Sequence, residues 1–245
     1  MAATLALAAA GFLASVINVV AGGGSFLTLP LLIFLGLPAG EANATNRVGV
    51  LAQNVGAVWG FHRHRVLEWR WSFCVAVPGT LGAGLGAWLA LHVGDREFQR
   101  FLAFVMLALT LWTIIDPGGR SVRRGASRTP HTWLMHAGFF LVGIYGGFVQ
   151  AGVGFLFLAV STRAGLDLLR GNAAKVLSIL LQTLLSLAIF AWDGRVRWDA
   201  GLALAAGSVL GSLVGVRLTV VKGQRWLQGA VTAAVILFAI RLWFS

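Results

Sequence analysis

The stretch Gly171-Asn-Ala-Ala-Lys-Val-Leu-Ser-Ile-Leu-Leu-Gln-Thr-Leu-Leu-Ser-Leu-Ala-Ile-Phe-Ala-Trp192 holds one charge, Lys175, in 22 residues. About 20 apolar residues suffice for a helix to cross the ~30 Å hydrocarbon core of a bilayer, so 172–192 is predicted to span a membrane. The rest of the chain is of the same kind: 58% of its 245 residues are hydrophobic and 11% charged. An ordinary soluble domain has roughly 45–50% and 25%. The charges are too few to cover a water-soluble body. The 10 Trp and 32 Gly suit packed membrane helices with interfacial anchors, and the single Cys74 excludes a disulfide framework or a cysteine metal cluster. The expected fold class is an all-α polytopic membrane protein.

The same stretch has a counterpart 129 residues earlier. Asn43/Asn172, Gln53/Gln182 and Trp69/Trp198 match in one ungapped register, with Gly23/Gly152, Gly36/Gly165, Gly82/Gly211 and Gly86/Gly215 on the same diagonal. Amide and Trp matches in a single register indicate duplication. Each copy has four hydrophobic units: 2–37, 44–61, 71–92 and 98–115 in the first, and 132–165, 172–192, 200–221 and 226–243 in the second. The expected organisation is repeat 1 over 1–115, a cytoplasmic linker over 116–131, and repeat 2 over 132–245. Met1 to Ala21 lacks a basic leader and reads as a retained membrane helix.

The basic connections are Arg63, Arg65 and Arg70; Arg120, Arg123, Arg124 and Arg128; Arg163, Arg170 and Lys175; and Arg217, Lys222 and Arg225. Placing these in the cytoplasm puts both termini outside. It also sets the basic loop 62–70 against the near-neutral 193–199, so the two repeats should be inverted relative to each other. The first unit of each repeat must then begin and end on one side. His131 to Arg163 is too short for two full crossings, which predicts a broken, re-entrant helix hairpin in each half, interrupted at Gly22, Gly23 and Gly24 and at Gly152 and Gly154.

Broken helices at membrane depth are tolerated where they are buried in protein or line a cavity. Glycines at the breaks let backbone approach a ligand, and a helix resuming at Ser25 would direct its positive end at it, a geometry that favours an anion. The alternative is that these glycines only permit close helix packing. A second polar constellation opens the next helix of each half: Asn43, Asn46, Arg47, Gln53 and Asn54 in one, Asn172, Lys175, Ser178 and Gln182 in the other. Asn46 and Gln53 are seven apart, on one helical face, as are Lys175 and Gln182. Such groups face a bundle interior or pathway, or else the cations snorkel to the interface and the glutamines join helices. Because Lys175 takes the position of Asn46 and shares a face with Gln182, it is favoured over Arg47 as the substrate-binding cation. The small-xxx-small series Gly79, Gly82, Gly86 and Gly207, Gly211, Gly215 reads as helix packing.

Catalytic residues, cofactors and metal ligands are not expected. No Asp or Glu falls inside a predicted span, no His accompanies Ser25 as a base, and His62, His64, His92 and His136 lack metal-site spacing. A net charge of +11 is distributed over short inter-helix clusters, so nucleic acid is not an expected partner. The expected partners are a small anionic substrate and the lipid bilayer, with homodimerisation left open.

Gly-Gly-Gly-Ser-Phe-Leu-Thr-Leu-Pro (Gly22 to Pro30), Leu-Gly-Leu-Pro (Leu35 to Pro38) and Ala42-Asn-Ala-Thr-Asn-Arg47, with a degenerate second copy at Gly152, Gly154 and Gly171-Asn-Ala-Ala-Lys175, resemble the TauE/SafE sulfite exporter family over essentially the whole chain. The resemblance implies a secondary transporter of sulfur-containing anions, such as sulfite or sulfonates, in a bacterial inner membrane. Rocking of one repeat against the other would expose the site alternately. The rival readings are a passive anion channel and a non-transporting assembly factor.

Overall fold

A computed structural model describes residues 2–20, 22–115 and 132–222, and these are helical, with no strand among them. The expected linker 116–131 and last hydrophobic unit 226–243 lie outside the described residues. The helices are α1 (Ala2–Val20), α2 (Ser25–Phe34), α3 (Ala39–Arg63), α4 (Trp69–Leu91), α5 (Asp95–Ile115), α6 (Thr132–Phe148), α7 (Val153–Arg163), α8 (Leu168–Trp192) and α9 (Trp198–Lys222). The duplication is visible in their bounds: α3 and α8 are both 25 residues long and start 129 residues apart, as do the starts of α4 and α9.

Four described helices are long and apolar enough to cross a membrane, within α1, α4, α8 and α9. Helix α3 is as long as α8 but has a mean composition too polar to qualify, because Glu41, three asparagines, Arg47 and Gln53 lie along it. Its neighbours resolve the conflict. Asn43, Asn46, Arg47, Gln53 and Asn54 are all buried, so the polar helix is sheathed by α1, α8 and α9 rather than by lipid. Exposed Trp69, Trp133, Trp192 and Trp198 lie at or beside helix ends, where an aromatic belt would stand.

Glycine contacts fix the helix directions. Gly207 lies against Ala8, Gly211 against Phe12 and Gly215 against Val19, so α9 runs parallel to α1 with close backbone approach. Gly82 lies against Phe140 and Gly86 against Ile144, so α4 runs parallel to α6 in the same manner. Small residues at this spacing serve helix packing, as expected from the sequence. By contrast, α3 and α8 run antiparallel. Ala44 and Val48 share a cluster with Leu187 and Phe190, whereas Ala57 and Phe61 share one with Ala173 and Val176.

The first unit of each half is a hairpin of two helices. Leu29 and Leu32 of α2 join Leu7 in one apolar cluster, so α2 returns toward the start of α1. Gly138 faces Val160 and Gly146 faces Val153, so α7 returns along α6. At 10 and 11 residues, the return helices measure about 15–17 Å, half of a bilayer core. Each break uses a left-handed glycine, Gly22 at φ +93° and Gly152 at φ 73°, which a residue with a Cβ adopts only with strain.

Candidate functional site

A small cleft, with room for about one water molecule, lies where α2 begins. Its walls carry Ser15 of α1, Gly24 and Ser25 at the head of α2, Thr28 one turn on, Asn46 and Gln53 of α3, and Ser208 of α9. All six polar side chains are buried. Four helices meet here because small residues admit them: a Cβ on Gly24 would collide with the backbone of Ala14, and one on Gly49 would press against Leu204 at 3.1 Å. Thr28 Oγ1 donates to Asn46 Oδ1 at 2.6 Å, and Asn46 Nδ2 donates to Ser25 Oγ at 3.3 Å. Asn18 Nδ2 donates to Gln53 Oε1 at 3.1 Å.

Neither buried cation lines this cleft. Lys175 Nζ donates to Asn18 O at 3.0 Å and Val19 O at 3.3 Å, and Asn172 Nδ2 donates to Val19 O at 2.7 Å. The pair therefore closes the C-terminus of α1, whose last carbonyls have no intrahelical donor and carry the negative end of the helix dipole. Arg47 and Asn43 do the same to α6. Arg47 donates to Gly146 O (3.2 Å), Gly147 O (2.5 Å) and Gln150 Oε1 (2.8 Å), and Asn43 Nδ2 donates to Phe148 O (2.9 Å). Phe190 lies 4.8 Å from the guanidinium carbon. Each half thus supplies the cation that caps the broken helix of the other. Arg47 is fully buried and Lys175 is 2% exposed, so neither side chain reaches an interface.

The two breaks are pressed against each other. A Cβ on Gly22 would stand 2.7 Å from the Gly154 backbone, a Cβ on Gly23 would stand 2.8 Å from the Phe155 ring, and Phe26 stacks on Phe155 with centroids 6.5 Å apart. Of the sequence-derived candidates, Gly24, Ser25, Asn46 and Gln53 therefore gather at the cleft. Gly22, Gly23 and Gly154 form the junction of the two hairpins, with Gly152 at the turn into α7. Asn43, Arg47, Asn172 and Lys175 hold helix ends. Gln182 is wedged beside Gly79 of α4 and Gly146 of α6, donating to Ser178 Oγ at 2.8 Å.

Sequence reasoning passed over Ser15, Thr28 and Ser208. Thr28 stands inside the Gly22 to Pro30 motif, and its spacing of three from Ser25 puts both on one face of α2. Ser208 carried no local signal, being one small residue among many on an apolar helix. No group of acidic, His or Cys side chains able to hold a metal ion occurs among the described residues.

These features define a polytopic helical membrane protein whose polar side chains are turned inward. A family model described as sulfite exporter TauE/SafE matches residues 7–242. A Haemophilus influenzae protein named "Probable membrane transporter protein" is 31% identical over 218 residues, covering 87% of this chain and 84% of the relative. "Probable membrane transporter protein ORF9" of a Sinorhizobium species is 28% identical over 234 residues, 95% of this chain and 89% of the relative. "Probable membrane transporter protein YfcA" of Escherichia coli K12 is 27% identical over 236 residues, covering 95% and 87%. No solved structure is significantly similar to the chain. The chain belongs to the TauE/SafE family and is a membrane transporter, not an enzyme.

Proposed function

We propose that this transporter is a secondary exporter of a small anion, with sulfite, an organosulfonate or a related sulfur oxyanion as cargo, working by alternating access across a bacterial inner membrane. The observation that carries the reading is the charge of the interior. Arg47 and Lys175 are buried with carbonyls, an amide and the Phe190 ring as partners, none of them anionic, and no Asp or Glu is buried among the described residues. Two such cations leave the interior net positive, and an anion entering it supplies the missing counter-charge. The small cleft at the head of α2, which carries buried Ser, Thr, Asn and Gln side chains, is the polar point of that interior and would widen to admit the anion. The name of the matched family points to the same cargo.

Alternating access draws support from the antiparallel packing of α3 on α8 and the reciprocal capping of α1 and α6, which inverted halves would produce. In this reading 1–115 and 132–245 rock about the 116–131 linker, which is cytoplasmic, with both termini outside. The close junction of Gly22 and Gly154 is the contact such a motion would have to loosen, and it favours a carrier over an open channel. Reconstitution into liposomes tests the proposal. Radiolabelled sulfite or methanesulfonate should enter saturably and show counterflow when unlabelled anion is trapped inside. Flux linear in the gradient, without counterflow, would establish a channel instead, and no flux of any sulfur oxyanion would refute the reading.

A further inference from the structure

Helices α2, α3, α7 and α8 end in the same way, with two backbone bonds folded back over a residue of positive φ. After α3, Arg65 N donates to His62 O at 2.9 Å and Val66 N donates to Phe61 O at 3.1 Å. The residue at the turn is glycine in three of these ends, Gly36, Gly165 and Gly194, and Arg65, at φ 57°, in the fourth. Gly194 is the counterpart of Arg65 across the 129-residue step. A Cβ in the left-handed region carries a cost that glycine avoids, so this side chain is kept against the preference of the backbone. Within the protein nothing offsets that cost: the Arg65 side chain is exposed and makes no hydrogen bond, ion pair or ring contact among the described residues. Its surroundings are aromatic and exposed. The Arg63 guanidinium carbon lies 5.4 Å from the Trp59 ring centroid, His62 meets Trp69 edge-on at 5.5 Å, and Trp69 stacks on Phe73 at 5.9 Å. Trp59, Trp69 and Phe73 are 53%, 40% and 45% exposed, so the end of α3 and the start of α4 share one uncovered aromatic band.

We propose that this turn is a binding site for an anionic phospholipid, whose phosphate is held by Arg63 and Arg65 with Arg70 beside them, and whose acyl chains lie along Trp59, Trp69 and Phe73. Tryptophan marks the headgroup level of a bilayer, and a guanidinium at that level meets lipid phosphate. Arg63, Arg65 and Arg70 have no carboxylate partner among the described residues, and Glu68, the acid of the turn, is engaged by Arg170 at 2.9 Å. The turn after α8, on the opposite face, supplies the contrast. Trp192 and Trp198 are exposed there too, but glycine replaces Arg65, and Arg195 and Arg197 are paired with Asp193 at 2.9 Å and Asp199 at 3.6 Å. The aromatic level is common to both turns, and the free cations belong to one. The lipid is a partner of the fold and not its cargo.

The test uses the purified full-length protein in dodecyl maltoside, with phosphatidylglycerol titrated into the micelles and phosphatidylcholine as the neutral control, read by thermal stabilisation. Phosphatidylglycerol should raise the melting temperature and phosphatidylcholine should not. A basic side chain near a lipid phosphate is worth about fivefold in affinity, so Arg63→Gln and Arg65→Gly should each weaken phosphatidylglycerol binding by about that factor. Arg100→Gln removes the same charge from the opposite face and should weaken it less than about twofold. Arg65→Gly carries a second readout of opposite sign: without lipid it should melt at or above the unaltered protein, because glycine relieves the backbone. Melting below the unaltered protein in the absence of lipid would mean that Arg65 serves the end of α3, and would overturn the inference. Equal effects of the two lipids, undiminished binding by Arg63→Gln and Arg65→Gly, or an equal loss in Arg100→Gln would overturn it as well. Glycerol 3-phosphate, which carries the phosphate without acyl chains, should have no effect at matched concentration. Stabilisation equal to that by the lipid would assign the turn to a soluble phosphate instead.

Discussion

Thr28 and Phe157 occupy the same place in the two copies of one motif, the fourth residue of α2 and the fifth of α7, and they do opposite things. Thr28 stands at the wall of a cleft. Phe157 is fully buried in an apolar cluster with Val75, Val153 and Ile179. Several other cleft residues lose their polar side chain or their room across the 129-residue step: Ser15 becomes Ile144, Gly24 becomes Val153, Ser25 becomes Gly154 and Ser208 corresponds to Gly79, whereas Gln53 is retained as Gln182 and Asn46 becomes Lys175. The capping asparagines do not diverge, since Asn43 and Asn172 make the same bond to equivalent carbonyls, although the cations beside them, Arg47 and Lys175, stand one residue out of register. Both halves thus keep an asparagine cap on a broken helix, while the small polar cleft lies at the break of the first half.

Attacking a joint should have the largest effect. Arg47→Met removes the donors of three bonds and leaves two carbonyls and the Gln150 oxygen unsatisfied in the interior, which should cost about 3–5 kcal/mol. Lys175→Met should cost about 1–3 kcal/mol, because Asn18 O loses its side-chain donor while Val19 O keeps the one from Asn172. Thermal unfolding in detergent reads both. Equal losses would mean that the two caps are not graded by their bond count.

Exchanging Phe157 for the residue of the other half sharpens the comparison. Phe157→Thr leaves a hole in an apolar cluster and should destabilise by about 2–4 kcal/mol without creating a second binding event. Thr28→Phe should be milder, about 1–3 kcal/mol from overpacking, and should abolish anion-induced stabilisation. Calorimetric stoichiometry distinguishes one site from two.

The hairpin junction can be separated from simple glycine strain. Gly22 and Gly36 share φ +93°, but a Cβ on Gly22 would strike Gly154 whereas one on Gly36 would meet nothing within 4 Å. Gly36→Ala should cost about 1–2 kcal/mol from the left-handed backbone alone, and Gly22→Ala distinctly more. If the two alanine variants melt together, the breaks are not in tight contact. The smallest effect is expected at Glu68→Gln, which removes a 2.9 Å ion pair with Arg170 at a position where both side chains are at least half exposed; the change should stay below about 0.5 kcal/mol.

The fold was legible because its signals are long and periodic. Spans, breaks and the 129-residue register could be read from hydropathy and from a handful of Asn, Gln, Trp and Gly matches. The helices ran beyond the apolar cores where Pro38 and Glu68 set their true starts. The site was legible only in part. Gly24 and Ser25 stand out in the sequence as a helix break and Asn46 and Gln53 as polar groups at membrane depth, and the four meet at the cleft. Arg47 and Lys175 were singled out by the same rule, but sequence carries no record of the helix ends they face, because their acceptors are backbone carbonyls about 100 and 157 residues away. Ser208 was invisible for a related reason: its contribution depends on α9 lying against α1 and α3, a pairing of distant segments that leaves no local pattern.

The central claim is that one half holds the ligand and the other does not. Selenite, a heavier analogue of sulfite whose selenium scatters X-rays anomalously, places the ligand directly when soaked into crystals of the full-length protein. A single anomalous peak between Thr28, Asn46 and Gln53 is the predicted result. A peak beside Phe157 and Lys175, or one between Gly22 and Gly154, would contradict the account.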